Sequence, residues 1–244
     1  KGNAQATLQL WQEAHELGSS VVLFPELGVS GYTARDLFLD QHLLSACENA
    51  VLELVKASKN LTPMAVVGMP LRTVDGLYNI ALAIQGGKIL GAVPKTYLPN
   101  YREFEETRWF RPGSDVADGS EAHIGAHCFP FGRDVLFKAN AEFIVGLEIC
   151  EDFWVHLPPS SYLISGGASV VCNLSASNFT VGKAEVRRTL ARSISHRGKA
   201  VYMFVAAGPG ESSTDLAFDA DAFICEAGDV LSESKRFLRE NQII

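Results

Sequence analysis

Two periodicities run along this chain. Between Asn3 and Leu17, the residues Ala4, Leu8, Trp11, Ala14 and His15 share one face at helical spacing, and Gly18 ends the run. Val21-Val22-Leu23-Phe24 is an unbroken apolar stretch of β-formers, which predicts a strand buried on both faces. A second amphipathic helix is predicted from Gln41 to Ser58. Strands follow at Ala65–Gly68, Asn79–Ile84 and Lys88–Val93, with Gly86-Gly87 as the hairpin turn between the last two. Further strands are predicted at Phe143–Ile149, Ser169–Asn173 and Val201–Ala206. A helix from Lys183 to Arg197 lies between the last two, with its charges expected on an exposed side. Ala222–Glu226 and Val230–Ser234 flank Ala227-Gly228-Asp229 as another hairpin. Hairpins mixed with strand–helix–strand units predict one α/β domain, in which two sheets pack face to face and helices cover both outsides. The polar stretch from Pro94 to Ser120 is too long for an ordinary connection and is expected to be functional.

Composition narrows the possibilities. Of 244 residues, 47% are hydrophobic, which is enough for a real core. The formal net charge of −7, from 21 basic and 28 acidic side chains, argues against nucleic acid as a partner. No apolar run approaches the ~20 residues of a membrane span, so no membrane partner is expected. Five cysteines without C-x-x-C spacing suggest neither a disulfide framework nor a zinc site, and favour a reducing, cytoplasmic setting. His123 and His127 have ligand-like spacing but no evident third partner, so no metal is expected. The start at Lys1-Gly2-Asn3, without methionine or signal peptide, is expected to be a cut from something longer.

Three reactive side chains stand just past predicted strands: Glu26 after Pro25, Lys95 after Pro94, and Cys150 after Ile149. Strand ends deliver side chains with fixed geometry. A carboxylate, an ammonium and a thiol together suit acyl transfer. The carboxylate takes the thiol proton, sulfur attacks a carbonyl, and the ammonium stabilises the oxyanion. Lys95 is also expected to raise the thiolate fraction of Cys150. Cys47, Cys128, Cys172 and Cys225 sit in apolar patterns and fit the common role of small buried hydrophobes.

Three blocks carry a resemblance. Phe24-Pro25-Glu26-Leu27 with Ser30-Gly31-Tyr32, then Pro94-Lys95-Thr96-Tyr97-Leu98-Pro99, then Glu148-Ile149-Cys150-Glu151-Asp152 resemble the signatures of the nitrilase (carbon–nitrogen hydrolase) superfamily. Tyr97 to Phe104, Leu157-Pro158-Pro159-Ser160, Asn173 to Ser177 and Gly210 to Leu216 resemble, within it, the glutaminase domains of glutamine-dependent NAD⁺ synthetases. The resemblance implies a nitrilase-like α-β-β-α four-layer sandwich. It implies Glu26 as general base, Lys95 as electrostatic stabiliser and Cys150 as nucleophile. It further implies L-glutamine as substrate, held by Tyr101, Ser177 and Lys183, with Phe104 and Glu106 lining the pocket. Tyr32 and Glu151 complete the expected substrate contacts, Glu151 through its backbone N–H at the oxyanion. Lys183 stands where such relatives often carry arginine, which would replace a bidentate grip by a point charge.

The same resemblance implies a further strand before Lys1, and after Ile244 a synthetase domain that uses ATP and Mg²⁺ and receives ammonia through a channel. A homo-oligomer is expected as well. No cofactor is expected for the chain itself. Ser165-Gly166-Gly167-Ala168-Ser169-Val170 only approximates a pyrophosphate loop, and its glycines are better placed as a helix stop. Gly208-Pro209-Gly210 likewise predicts a turn and not a dinucleotide loop. The alternative reading of the residues is a free-standing amidase, ω-amidase or carbamoylase-like, acting on another small amide.

Overall fold

A computed structural model describes residues 2–244. Helix α1 (Gly2–Glu16) leads into β1 (Val21–Leu23), and 3₁₀ turns at Tyr32–Leu39 precede α2 (Gln41–Ala57). Asp40 caps α2, its side chain accepting from the His42 N–H at 2.7 Å. Strands β2 (Met64–Arg72), β3 (Leu77–Gln85) and β4 (Lys88–Pro94) complete a four-stranded sheet in the order β1-β2-β3-β4. Gly86 and Gly87 both take positive φ, as the tight turn between β3 and β4 requires.

The second half adds β5 (Glu121–Ile124), β6 (His127–Pro130), β7 (Leu136–Lys138), β8 (Ile144–Ile149), α3 (Pro159–Ser165) and β9 (Val170–Ser175). Then follow α4 (Lys183–Gly198), β10 (Val201–Ala206), β11 (Ala222–Glu226) and β12 (Asp229–Glu233). The second sheet has six strands in the order β12-β11-β10-β9-β8-β7, with β8, β9 and β10 parallel at its centre.

Alternation decides the layers. Met64 and Val66 of β2, Ala81 and Ala83 of β3 and Val93 of β4 pack against Val145, Leu147, Ile149, Val170, Cys172 and Leu174 of the opposite sheet. The other face of the first sheet, with Ala65, Val67, Ile80 and Leu82, meets Trp11, Val51, Leu54 and Val55 from α1 and α2. The other face of the second sheet, with Val171, Tyr202 and Phe204, meets Ala191 and Ile194 from α4. At about 1.5–3 kcal/mol for each fully buried aliphatic side chain, these three apolar layers hold the stack together. The arrangement is the expected α-β-β-α sandwich. None of its helices, among the described residues, is long and apolar enough to cross a membrane.

Several local expectations change. The strand at Val21 is half-exposed, not buried on both faces, because it lies at a sheet edge paired to β2. Arg187 of α4 is fully buried, so that helix does not keep all its charges outside. His123 and His127 lie on opposite strands of the β5–β6 hairpin, and no cluster of metal-ligating side chains occurs among the described residues. Cys128 is exposed, unlike the other three cysteines outside the strand-end trio. The glycines after α3 do stop it, with Gly167 at φ +104°.

Candidate active site

Glu26 is held by a turn that the neighbouring strand has no room to relax. Phe24 N–H extends the ladder to Val66 O at 3.0 Å, and Pro25 ends it. Leu27 then adopts φ +51°, and its carbonyl accepts from the Ser30 and Gly31 N–H groups at 3.0 and 2.8 Å. This turn rests on Gly68 of β2. A Cβ there would fall 2.3 Å from Leu27 N and 2.8 Å from Pro25 O, so only glycine fits beneath the carboxylate.

Lys95 is the first residue past β4. Its N–H donates to Asn79 O at 2.9 Å, and its carbonyl accepts from Gly113 N–H at 2.6 Å. The side chain is fully buried. Its Nζ donates to Glu26 Oε1 and to Glu106 Oε1, both at 2.6 Å. Asn79 Nδ2 and the Ala176 N–H donate to Glu26 at 2.7 Å each, and Tyr32 OH donates to Glu106 Oε1 at 2.8 Å. Glu106 enters from a 3₁₀ turn, Glu106–Arg108, inside the long polar stretch.

Cys150 stands one residue past β8 with φ +46°, a left-handed backbone that a non-glycine residue adopts only when its surroundings enforce it. The conformation turns the chain sharply from strand into the 3₁₀ turn Cys150–Phe153. Lys95 donates to Glu26, and Asp152 accepts from the N–H groups of Thr96, Tyr97 and Ile149, so the chain beside Lys95 and the chain beside Cys150 are tied together. Three distant stretches of sequence therefore converge.

The electrostatics follow from burial. Desolvation weakens the charge of Lys95, but Glu106 and Glu26 outweigh it and hold the ammonium protonated well above the usual lysine range. Glu106 is pushed up to about 7, by burial first and against the pull of Lys95, while Glu26 adds repulsion. The thiol departs from the expectation of enhanced thiolate. Burial, then the negative charge of Glu26, push it well above its ordinary value, and Lys95 offsets only part of this. Resting Cys150 is a neutral thiol that needs a base at the moment of attack.

The rim is wetter. Tyr101 is exposed, donates its hydroxyl to Glu151 at 3.0 Å and packs edge-on against Phe104 with ring centroids 5.9 Å apart. Desolvation and the neighbouring Glu151 raise this phenol to about 12. Lys183, at the start of α4, donates to Asn178 Oδ1 at 2.5 Å and lies 5.1 Å from the centre of the Trp154 ring. Partial burial lowers its pKa. Ser177 is buried, and its hydroxyl and carbonyl oxygens accept from Arg187 at 3.2 and 3.0 Å. Cys150 is 5% exposed, against 1% for Glu26 and none for Lys95. The cleft lined by Tyr32, Glu103, Phe104 and Trp109 measures about 30 Å³, room for a water. A larger groove of about 380 Å³ runs along β1, β10 and β11 and reaches Pro25, but Glu26, Lys95 and Cys150 do not line it.

The family profile described as carbon–nitrogen hydrolase matches residues 1–209. The chain belongs to the carbon–nitrogen hydrolase family. Among curated relatives, the glutamine-dependent NAD(+) synthetase of Mycobacterium tuberculosis is 46% identical over 237 residues, covering 96% of this chain and 35% of that protein. The Aquifex aeolicus protein of the same name is 28% identical over 97% of this chain and 38% of its own length. This chain thus spans little more than a third of these relatives. Among solved structures, the glutamine-dependent NAD+ synthetase of Acinetobacter baumannii superposes with a TM-score of 0.82 at 25% identity, over 98% of this chain and 41% of that one. An amidase from Nesterenkonia gives 0.75 at 17% identity over 96% of this chain and 80% of its own, a likeness of fold. Within this carbon–nitrogen hydrolase fold, Glu26, Lys95, Glu106 and Tyr32 form one hydrogen-bonded chain around Cys150, whereas Tyr101, Glu151 and Lys183 stand at the mouth.

Sequence reasoning missed three contributors. Asn79 aims Glu26, and its only signal was an amide opening an otherwise apolar run. Arg187 supports Ser177 from what had looked like a solvated helix face. Asp152, read only as part of the block around Cys150, is buried and holds backbone N–H groups. Glu106 was expected merely to line the pocket, but it is a direct ion-pair partner of Lys95.

Proposed function

We propose that this chain is the glutamine-hydrolysing part of a glutamine-dependent NAD⁺ synthetase, releasing ammonia from L-glutamine through a cysteine thioester. The observation that carries the reading is the buried Lys95 ammonium shared between Glu26 and Glu106, with Cys150 buried just past the end of β8. The names and identities of the M. tuberculosis and A. aeolicus relatives support the choice of substrate.

The chemistry follows from the parts. Glu26 accepts the thiol proton as sulfur attacks the side-chain carbonyl carbon of glutamine. The new oxyanion lies against Lys95 and the Glu151 N–H, in a site too dry for water to screen them. Glu26 passes its proton to the amide nitrogen, the C–N bond breaks, and ammonia departs from a γ-glutamyl thioester. Water then loses a proton to Glu26 and attacks the thioester. The C–S bond breaks, Glu26 returns the proton to sulfur, and glutamate leaves. Asn79 and the Ala176 N–H keep the carboxylate aimed through both half-reactions.

Tyr101, Ser177 and Lys183 hold the α-amino and α-carboxylate end of glutamine, and Phe104 packs along its methylenes. Ammonia dissolved in water would be protonated and lost as a nucleophile. It passes instead through a dry channel to a synthetase portion, to which the ATP and Mg²⁺ chemistry belongs, in a homo-oligomeric assembly.

The test is a glutamine-like electrophile followed by intact-mass analysis and peptide mapping, with a panel of small amides assayed alongside. A single adduct on Cys150, competed by glutamine, is expected. Turnover favouring amides that lack the α-amino and α-carboxylate groups would replace this reading with a free-standing amidase.

A further inference from the structure

Two sheets must stay in register for this site to exist. Lys95 leaves the four-stranded sheet at the end of β4, and Cys150 leaves the six-stranded sheet at the end of β8. Between them lies apolar packing, which is strong but non-directional and does not by itself fix an ammonium to a fraction of an ångström. Glu26 has its own polar link across the gap, since its carboxylate accepts from Ala176 N–H beyond β9 and its N–H donates to Ser175 O at 3.3 Å. Lys95 lacks one through its own backbone, which binds Asn79 and Gly113.

Asp152 closes that gap. Its Oδ1 accepts from the N–H groups of Thr96 and Tyr97 at 3.1 and 2.8 Å, the two residues after Lys95. Its Oδ2 accepts from the N–H of Ile149 at 2.9 Å, the residue before Cys150. One buried carboxylate therefore takes donors from both sheets, next to the amine on one side and the thiol on the other. No lysine, arginine or histidine forms a salt bridge with it among the described residues, so backbone amides alone satisfy it. A neutral cap would suffice to close the short turn after Cys150. Three donors from two sheets ask for more, namely an acceptor oxygen on each side of the carboxyl; burial pushes this acid up to about 8, and the N–H groups of Ile149 and Tyr97 pull it the other way.

We propose that Asp152 is a positioning residue, acting through Lys95 and Cys150 by pinning the ends of β4 and β8 to each other. The inference rests on the proposed hydrolytic reading, but its test does not depend on the identity of the substrate. In Asp152→Asn one oxygen becomes an NH₂ that faces a donor, so one of the two sheets is released.

In the full-length protein, D152N is expected to lower kcat for glutamine hydrolysis about 10²-fold, the scale of an ångström-sized misplacement, with KM within about threefold. The alkylation rate of Cys150 by iodoacetamide should fall in parallel, since a displaced ammonium favours the thiolate less. A folded D152N with kcat and alkylation both within about threefold of the parent overturns the proposal. So does a loss that disappears once rates are scaled to the folded fraction. If the parent does not hydrolyse glutamine but alkylation still drops in D152N, the glutaminase reading fails and the positioning role stands. Should D152N not fold, native-state hydrogen exchange on the parent decides. The Thr96 and Tyr97 amides are expected to open together with that of Ile149, and opening at 96 and 97 more than about 10²-fold faster refutes the pin.

Discussion

The floor of this site and its mouth are built from the same residue types under opposite rules. On the floor, Lys95, Glu26 and Glu106 have no water to fall back on, and each charge is tolerated because the others are present. At the mouth, Tyr101, Glu151 and Lys183 make comparable hydrogen bonds while partly solvated, so each could be exchanged singly. On the proposed function, the difference teaches that chemistry and recognition are mechanically separate. The floor is an all-or-none unit, and the mouth is adjustable.

The sharpest attempt to break that contrast is Lys95→Ala. Two buried carboxylates would lose their cation, so a stability loss of about 3–5 kcal/mol is expected from urea unfolding. Glutamate release should fall on the order of 10²–10³-fold. A folded variant with turnover within about tenfold would show that the floor is not a unit.

Glu106→Gln sharpens the same point through pH. In the folded protein Glu106 keeps its proton up to about 7, whereas unfolded it releases it near the ordinary glutamate value. Folding therefore takes up a proton between those two values. The stability owed to Glu106 is fully present below the window and is lost as pH rises through it. Relative to Glu106→Gln, the parent should lose stability from about pH 4.5 to about pH 7 and then level off. Parallel curves for the two proteins would show that the carboxyl is not held up.

The smallest effect belongs to the mouth. Lys183→Ala should raise KM for glutamine by about tenfold, the loss of one charge-assisted hydrogen bond, with unfolding changed by less than about 1 kcal/mol. A Lys183→Ala enzyme that unfolds as readily as Lys95→Ala would erase the distinction between mouth and floor.

How far the sequence carried follows the same division. The long elements were legible, because runs such as Val201–Ala206 and Lys183–Gly198 state their period plainly and the structure keeps them almost residue for residue. Glu26, Lys95 and Cys150 were legible as strand-end residues, and the structure sets each one just past its strand. Their partners were not. Glu106 sits in a polar stretch that no periodicity marks, and its importance arises only when the chain folds back upon Lys95. Arg187 was obscured because a helical arginine looks solvated until Asp219 and Asp221 are brought beneath it from another loop. The short strands β5 to β7 carry too few residues to show an alternation. The neutral state of the thiol was likewise invisible, since desolvation is a property of the folded whole.

Gly68 has one more consequence. With no functional group, it cannot meet a substrate, and yet any added carbon strikes the backbone on which Glu26 stands. A saturation library scored only by turnover would rank codon 68 beside the codons for Cys150 and Glu26. Scoring the same library for protein abundance would expose the difference between a residue that reacts and one that merely leaves space.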